Sequence, residues 1–569
     1  MVCTIRTDFR VRPGFLLLLA TMLACGLPGN AQIKSGLQDQ IREITQRIGD
    51  AVEDAVANGL VQQRAALLAE LIQQNPAAAV ASALPDELRH TLAQAHPELH
   101  PWLEEKGHWT GPLAVAIAED LRHRRTKTTR ILRVEGHPVS VYWDAPADPG
   151  CSRTATVHGV RLGNRIAAAA VEIAADAVPA CTTIGDQKTV VLMIDYLSHS
   201  ITPGYTEEYL RDAFFGPAPS LNDFLQEASY GVTQASGDVF GPFHLGTDFA
   251  CDQQEEILQA AIAAADSTVD FTAYSRIFLI LPVTVDGGCA YDGLAQVGCS
   301  QQLSPSKGAF TASVTWLETP TLGPNIFGPL GQFVQTVIHE SGHNFGLRHA
   351  NSLDFDTLPV GSVDSDGVHT EYGDPFSSMG SNPGHFAAPH KSLLGWLTEG
   401  TGFLTVQSAG SWTLAPLSQE TSAPRALRVE RGTGTDQWLW IEYRQPIGSY
   451  EPTVLDNGAP RDFNGVLVHL EDPQQTANWP AYSNLLTFEP VLLPNDFNQA
   501  MLKAGATWTD PYTNLTLTTG SATPTGIPVT VSYDNGCATL VAAAQAFPPA
   551  GGTGQIQVQA PATCSWTAA

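Results

Sequence analysis

Residues 339–349 read HESGHNFGLRH, and no other stretch limits the chain as tightly. The residues before it, GQFVQTVI (331–338), carry helical phase into it. Residues four apart on a helix lie one above the other on one face. His339 and His343 therefore aim two imidazoles at one place, and Glu340 lies beside that place rather than in it. Gly346 supplies a position where a helix can end at positive φ. A chain that turns back there brings up His349 as a third nitrogen. Three converging nitrogens suit a zinc ion and leave one tetrahedral corner open to water. Zinc lowers the pKa of such a water to about 7, and Glu340 is placed to take its proton. A lone HExxH is a weak signal, but the later glycine and histidine at fixed distances make the extended pattern specific.

The surrounding sequence predicts an α/β setting. TVVLMIDYL (189–197), SRIFLILPV (275–283) and FTASVTWLE (310–318) read as strands. TEEYLRDAFF (206–215), SLNDFLQEASYG (220–231) and EEILQAAIAAAD (255–266) read as helices, with Ser220 as an N-cap and Asp223 three residues on. FTASVTWLE lies just before the active-site helix, where an exposed edge strand could pair with an extended peptide; the alternative is a fully paired central strand. From 401 to 535 helical periodicity gives way to short strands between Gly, Pro, Asn and Asp, the pattern of a β-sandwich. Residues 536–569 are expected to begin a further β (Ig/BACON-like) module that the chain ends inside.

At the other end, Arg6, Arg10 and Arg12 precede the apolar run FLLLLATMLAC (15–25) and the small residues Gly29 and Ala31. This predicts a signal peptide over 1–31, with lipoprotein anchoring at Cys25 as the alternative and no transmembrane segment in the mature chain. Residues 37–74 repeat apolar positions every three or four residues, closed by Pro76, and 110–180 turn to short strands. The whole of 32–184 is expected to be an α/β propeptide-like region. Six of the thirty basic residues crowd into RHRRTKTTRILR (122–133), read as a solvated strand face or a processing site. A net charge of −27 excludes the basic footprint of a nucleic-acid binder.

Of nine cysteines, seven lie beyond the signal, and export predicts that most are paired. Proximity suggests Cys289–Cys299, Cys537–Cys564 and Cys151–Cys181.

The extended histidine motif resembles that of the metzincin metalloproteases. SLNDFLQEASYG, HESGHNFGLRHA, EYGDPFSSMG (371–380) and HFAAPHKSLLGWL (385–397) are together similar to the gametolysin family of secreted metzincins, and less closely to immune inhibitor A proteases. The resemblance covers about 185–400 well and 401–535 more loosely. It implies a multidomain α+β protein: a zincin-type α/β catalytic domain over 185–400, the propeptide-like region before it and the β-sandwich after it. It implies His339, His343 and His349 as zinc ligands, Glu340 as the base and Met379 as the methionine of a turn beneath the metal. Some metzincins carry a tyrosine two residues after that Met. Here the position is Ser381, so a second oxyanion donor is not assigned; Tyr372 and a backbone N–H are the candidates. As in related proteases a free thiolate could silence the site, and Cys151 and Cys181 are the upstream candidates.

Asp354, Asp356, Asp364, Asp366 and Asp374 are candidate calcium ligands, though their spacing is not that of an EF-hand. His369, His385 and His390 are read as packing or surface histidines. The expectation is a secreted, monomeric zinc endopeptidase and zymogen that hydrolyses peptide bonds in extracellular or cell-wall proteins. The rivals are a secreted β-module adhesion protein with an inert zinc domain, and an amidase acting on cell-wall peptides.

Overall fold

The computed structural model describes residues 30–57, 59–121, 124–143, 153–177, 181–283, 289, 291–299, 301–319, 331–455, 458, 460–473, 483–489, 497–533, 539–540 and 558–559. Most of the expected signal, Cys151 and the Cys537–Cys564 pair lie outside them.

The chain divides into two compact units between Glu105 and Lys106. The first is helical: Asn30–Asp50, Val52–Ala57, Leu60–Gln74, Pro76–Ala81 and Asp86–Ala95. Ile44, Ile48, Leu60, Val61, Leu92 and Leu103 share its core. Pro76 closes the helix that ends at Gln74, as expected, but not the helical region. It is the first residue of the next helix, where its missing N–H costs nothing, and Asn75 caps that helix by accepting from Ala78 N–H at 3.0 Å. Arg64 is buried there and pairs with Glu104 at 2.8 Å.

The second unit begins with a small ring of strands. Glu105–Asp120, Arg125–Val134, His137–Tyr142, Arg165–Ala177 and Arg153–Leu162 pair in a closed circuit around Leu113, Leu132, Val139, Val157 and Ile166. The sixteen-residue strand Glu105–Asp120 was not among the expected strands. Its second half also pairs outward, antiparallel, with Gly293–Gln296.

That short strand edges the central sheet, in the order Gly293–Gln296, Phe310–Glu318, Arg276–Leu281, Gly185–Asp195, Thr233–His244. The last four run parallel, while Gly293–Gln296 and the short strand Gln301–Leu303 both pair antiparallel with Phe310–Glu318. FTASVTWLE is therefore an interior strand, not the exposed edge considered above. Alternate residues serve the two faces, as the pleat requires. Val191, Met193, Phe278 and Ile280 meet the helices Glu207–Phe215, Leu221–Ala228 and Gln332–Asn344. Val190, Leu192, Ile277 and Leu279 meet Gln254–Ala265.

The later strands form two sheets with one shared core. Phe403–Val406, Ala426–Glu430, Trp438–Tyr443 and Gly465–Glu471 belong to one; Gly410–Leu414, Ile527–Tyr533, Leu515–Thr519 and Thr507–Thr509 form the other. Leu427, Val429, Ile441 and Val468 meet Leu515, Leu517, Val529 and Val531 between them. The pair Asn351–Asp354 and Val368–Thr370, from between His349 and Met379, extends the first of these sheets. Asn351 thus hydrogen-bonds into strands more than a hundred residues later.

Two disulfides join Cys181 to Cys299 and Cys251 to Cys289. They overturn both pairings expected for these residues. Cys299 is held beside Cys181 rather than Cys289, because strand pairing, not sequence proximity, sets which Cα atoms come within 5.4 Å.

Two buried arginines pin the loop that follows Asp374. Arg444 lies 2.7 Å from Glu442 and 2.5 Å from Glu451, and it donates to the Phe376 and His385 carbonyls. Arg461 donates to the Pro375 and Pro383 carbonyls at 3.0 and 2.7 Å. Replacing Arg444 by Ala strands the buried Glu442, leaves Glu451 only its longer contact with Arg461, and frees that loop. Urea unfolding of Arg444→Ala is expected to show a loss of about 3–5 kcal/mol, the cost of breaking a buried pair from one side.

Candidate metal centre and active site

The helix Gln332–Asn344 carries His339, Glu340 and His343 and ends as its sequence requires. Gly346 adopts φ 100°, and Gly346 and Leu347 N–H close the last turn on the carbonyls of His343 and Gly342 at 2.8 and 3.0 Å. That turn delivers His349 to the same point. Each imidazole is held from behind by its Nδ1. His339 Nδ1–H donates to the Ser378 carbonyl (2.6 Å), and His343 Nδ1–H to the Leu347 carbonyl (2.9 Å). His349 Nδ1 is 2.8 Å from Glu371 Oε1. Fixing Nδ1 fixes both ring orientation and tautomer, so all three Nε2 atoms face one another across a common centre.

A residue absent from the sequence reading completes that centre. Glu119 places Oε2 2.9 Å from His339 Nε2 and Oε1 2.9 Å from His343 Nε2, and Oε1 also touches His349 Nε2. One ligand atom from each of Glu119, His339, His343 and His349 lies within 4.8 Å of the others, and all four residues are buried. It is the only such cluster among the described residues. His339 Nε2, Glu119 Oε2 and both Glu340 oxygens are buried without a hydrogen bond. Burying so many acceptors together is costly unless something positive satisfies them. The donor set, three imidazoles and a carboxylate, is one that divalent cations of the zinc class take up.

The electrostatics agree. Burial pushes the Glu119 carboxyl up, but the charges of His339, His343 and His349 overcome this and hold it well below the usual carboxylate range. Burial, and then the charge of Glu119, push the Glu340 carboxyl well above its usual range. A dication between them would reverse that second balance.

Tyr372 also belongs here. Its hydroxyl donates to Glu119 Oε1 at 2.9 Å, and its ring stacks on His349 with centroids 3.9 Å apart. It sits at φ 59°, which a bulky residue rarely adopts, with its N–H donating to Asn351 Oδ1. Such strained backbone persists where surroundings over-determine it. Glu371, one residue before, turns the other way to hold His349.

Met379 lies beneath the helix and is fully buried. A Cβ added at Gly342 would come within 2.3 Å of its sulfur, so the glycine inside the motif exists to admit the methionine. A Cβ at Gly293 would meet Glu340 Oε1 at 2.2 Å, so the edge strand likewise makes room for that carboxylate.

The remaining candidates are not brought together. Asp374 is buried and pairs with His469 at 3.2 Å, while its Oδ1 accepts from Phe376 N–H at 2.8 Å. Asp354 Oδ1 accepts from Asp356 N–H in a local turn. Neither they nor Asp364 and Asp366 join a metal-type cluster among the described residues. Ser381 lines a small cavity beside His339 with Gln335, Tyr372 and Asn382. His385 is a buried partner of Glu227 and Lys391, and His390 is also buried. Cys181 is consumed by its disulfide and offers no thiolate.

Because the cavity beneath Gly342 is filled, Gly342→Ala is expected to lower stability by about 1–3 kcal/mol through overpacking against Met379, read as a lowered urea midpoint. Gly342→Ala/Met379→Ala, which empties the same space, should show less than the sum of its parts.

A comparison with curated proteins finds no match. Residues 188–430, which carry the three histidines, Glu340 and Met379, match the family model described as gametolysin peptidase M11, a match that supports a gametolysin-like metalloprotease.

Proposed function

We propose that the protein is a zinc-dependent endopeptidase of metzincin type that hydrolyses peptide bonds in extracellular or cell-wall proteins. The observation that carries this reading is the convergence of His339, His343 and His349 Nε2 beside a buried, unpartnered Glu340. In this proposal the three histidines hold the metal and Met379 forms the floor of the site. Bound zinc would supply a Lewis acid and a water of lowered pKa. Glu340 is the group placed to take a proton from an attacking water and to return one to the leaving amine. Tyr372 supplies the oxyanion donor that the sequence left unassigned: its hydroxyl already hydrogen-bonds a carboxylate oxygen among the three Nε2 atoms, where negative charge would develop. The chain is proposed to be exported by its N-terminal signal and made as a zymogen, with the strand ring and helices before residue 185 as the silencing part. No helix among the described residues is long and apolar enough to cross a membrane.

The intact set of three histidines and one glutamate favours an enzyme over an inert scaffold. The test uses the full chain, with and without limited trypsin treatment, on a denatured protein substrate. Glu340→Ala is expected to keep one zinc per chain and to lose cleavage, and a chelator should abolish cleavage by the wild type. Equal proteolysis by wild type and Glu340→Ala refutes the assigned base. Tyr372→Phe is expected to lower kcat by about 10²-fold with little change in KM, the effect of losing one oxyanion donor.

A further inference from the structure

The carboxylate among the three histidines comes from outside the stretch that carries them. Glu119 is the next-to-last residue of the strand Glu105–Asp120. Residues 116–119 of that strand lie antiparallel on Gly293–Gln296, with Glu119 opposite Gly293. Gly293 is also the residue that gives Glu340 its space. The contact is built along its length. Val297 N–H donates to the Val115 carbonyl at 2.8 Å, and Asp292 N–H to the Glu119 carbonyl at 2.6 Å. Leu121 N–H donates to Asp292 Oδ2 at 3.1 Å. Thr126, on the next strand, donates to Glu371 Oε2 at 2.5 Å, and Glu371 is the group that orients His349. Glu119 itself is fully buried, among Tyr372, the imidazoles and the Glu340 carboxyl.

Two vacancies that hydrolysis needs are filled at once. An incoming peptide would pair with the sheet through the outer edge of Gly293–Gln296, which is taken by 116–119. The corner facing three imidazoles, which water must occupy, is taken by a carboxylate.

We propose that Glu119 is the fourth metal ligand of the intact chain and that, with its strand, it keeps the active site latent. The inference rests on the reading of the three histidines as a metal centre. It replaces a thiolate as the silencing group, since Cys181 is bonded to Cys299. Opening the site requires the strand to leave, and the carboxylate goes with it.

The test is made on the full chain loaded with Co²⁺, in a Glu340→Ala background that prevents self-digestion. Glu119 is retained or changed to Gln or Ala, and acetohydroxamate is the probe. With Glu119 present, the visible spectrum should not respond to the probe. With Glu119→Ala it should shift on stoichiometric binding, and loss of the metal to a chelator should become at least about 10-fold faster, as expected when a ligand is removed. Glu119→Gln keeps the shape and the Tyr372 contact, so it reports even if the Ala variant does not fold, and it should also admit the probe. With Glu340 intact, Glu119→Ala should cleave denatured protein at least about 10-fold faster than wild type without trypsin. Identical spectra, probe binding and metal loss with and without Glu119 would overturn this proposal and leave the histidine centre standing. Failure of the chain to bind cobalt at all, with His343→Ala no different, would overturn the metal reading beneath it.

Discussion

Each of the three clustered imidazoles gives away its Nδ1: His339 to the Ser378 carbonyl, His343 to the Leu347 carbonyl, His349 to Glu371. An imidazole so held has only Nε2 left to offer. Three such lone pairs aimed at one buried point repel one another and have lost their water. The arrangement is stable only around something positive, a proton shared with Glu119 or a metal ion, and this need explains most of what surrounds it. The helix must end at Gly346 so that His349 can return. Gly342 must lack a side chain so that Met379 can lie beneath, and the residue before Met379 supplies the carbonyl that holds His339. Helix, turn and loop each owe their position to the same centre.

The support extends well past the motif. The loop that presents Ser378 and Met379 is pinned by Arg444 and Arg461, whose guanidinium groups reach four of its carbonyls. Both arginines are neutralised by Glu442 and Glu451, also buried. Tyr450 reaches further and caps the helix Leu221–Ala228, accepting from Ser220 N–H at 3.0 Å. That is the place Asp223 would take in a capping box. A β-sandwich that looks from sequence like an appended module is therefore part of the active-site floor. The strand pair Asn351–Thr370, which continues its sheet, carries the same coupling to Tyr372 through Asn351. Such buried polar networks rigidify a site when every member is satisfied.

What was legible in the sequence was local. Helix phase, the i and i+4 histidines, the terminating glycine and Ser220 as a cap all follow from spacing over a few residues, and the structure places them so. The strands Gly185–Asp195, Arg276–Leu281 and Phe310–Glu318 were equally plain, because fully apolar runs bounded by turn residues have few other uses, whereas Thr233–His244 and Gly293–Gln296 were not among the expected strands. Glu105–Asp120 was not. Its sequence EKGHWTGPLAVAIAED starts with glycines and a proline and ends in alternating alanines, which favour helix and are depleted in strands. Glu119 thus had no element to stand on, and nothing local separates it from an ordinary acidic residue. Tyr372 and Glu371 were hidden for a related reason. Their roles go with a rare backbone conformation at Tyr372, where Glu371 meets His349 Nδ1 and Tyr372 stacks on the same ring. The cysteine pairings failed because they were judged along the chain, while strand order decides them in space.

The choice of carboxylate over thiolate at the fourth position has a chemical logic in this chain. The four described cysteines of the second unit are all committed to disulfides. A further free thiolate beside them would be open to exchange, since thiolates attack disulfides directly. A carboxylate is inert to that chemistry and still binds a divalent cation. It is also hard to remove by competition, because Glu119 is one residue in a β-ladder rather than a side chain on a free loop. A peptide must displace several backbone hydrogen bonds before it meets the metal, and no single contact it makes replaces them. Latency of this kind is set by the covalent continuity of the strand, so a cut that lets the strand leave acts on both the ligand and the sheet edge together.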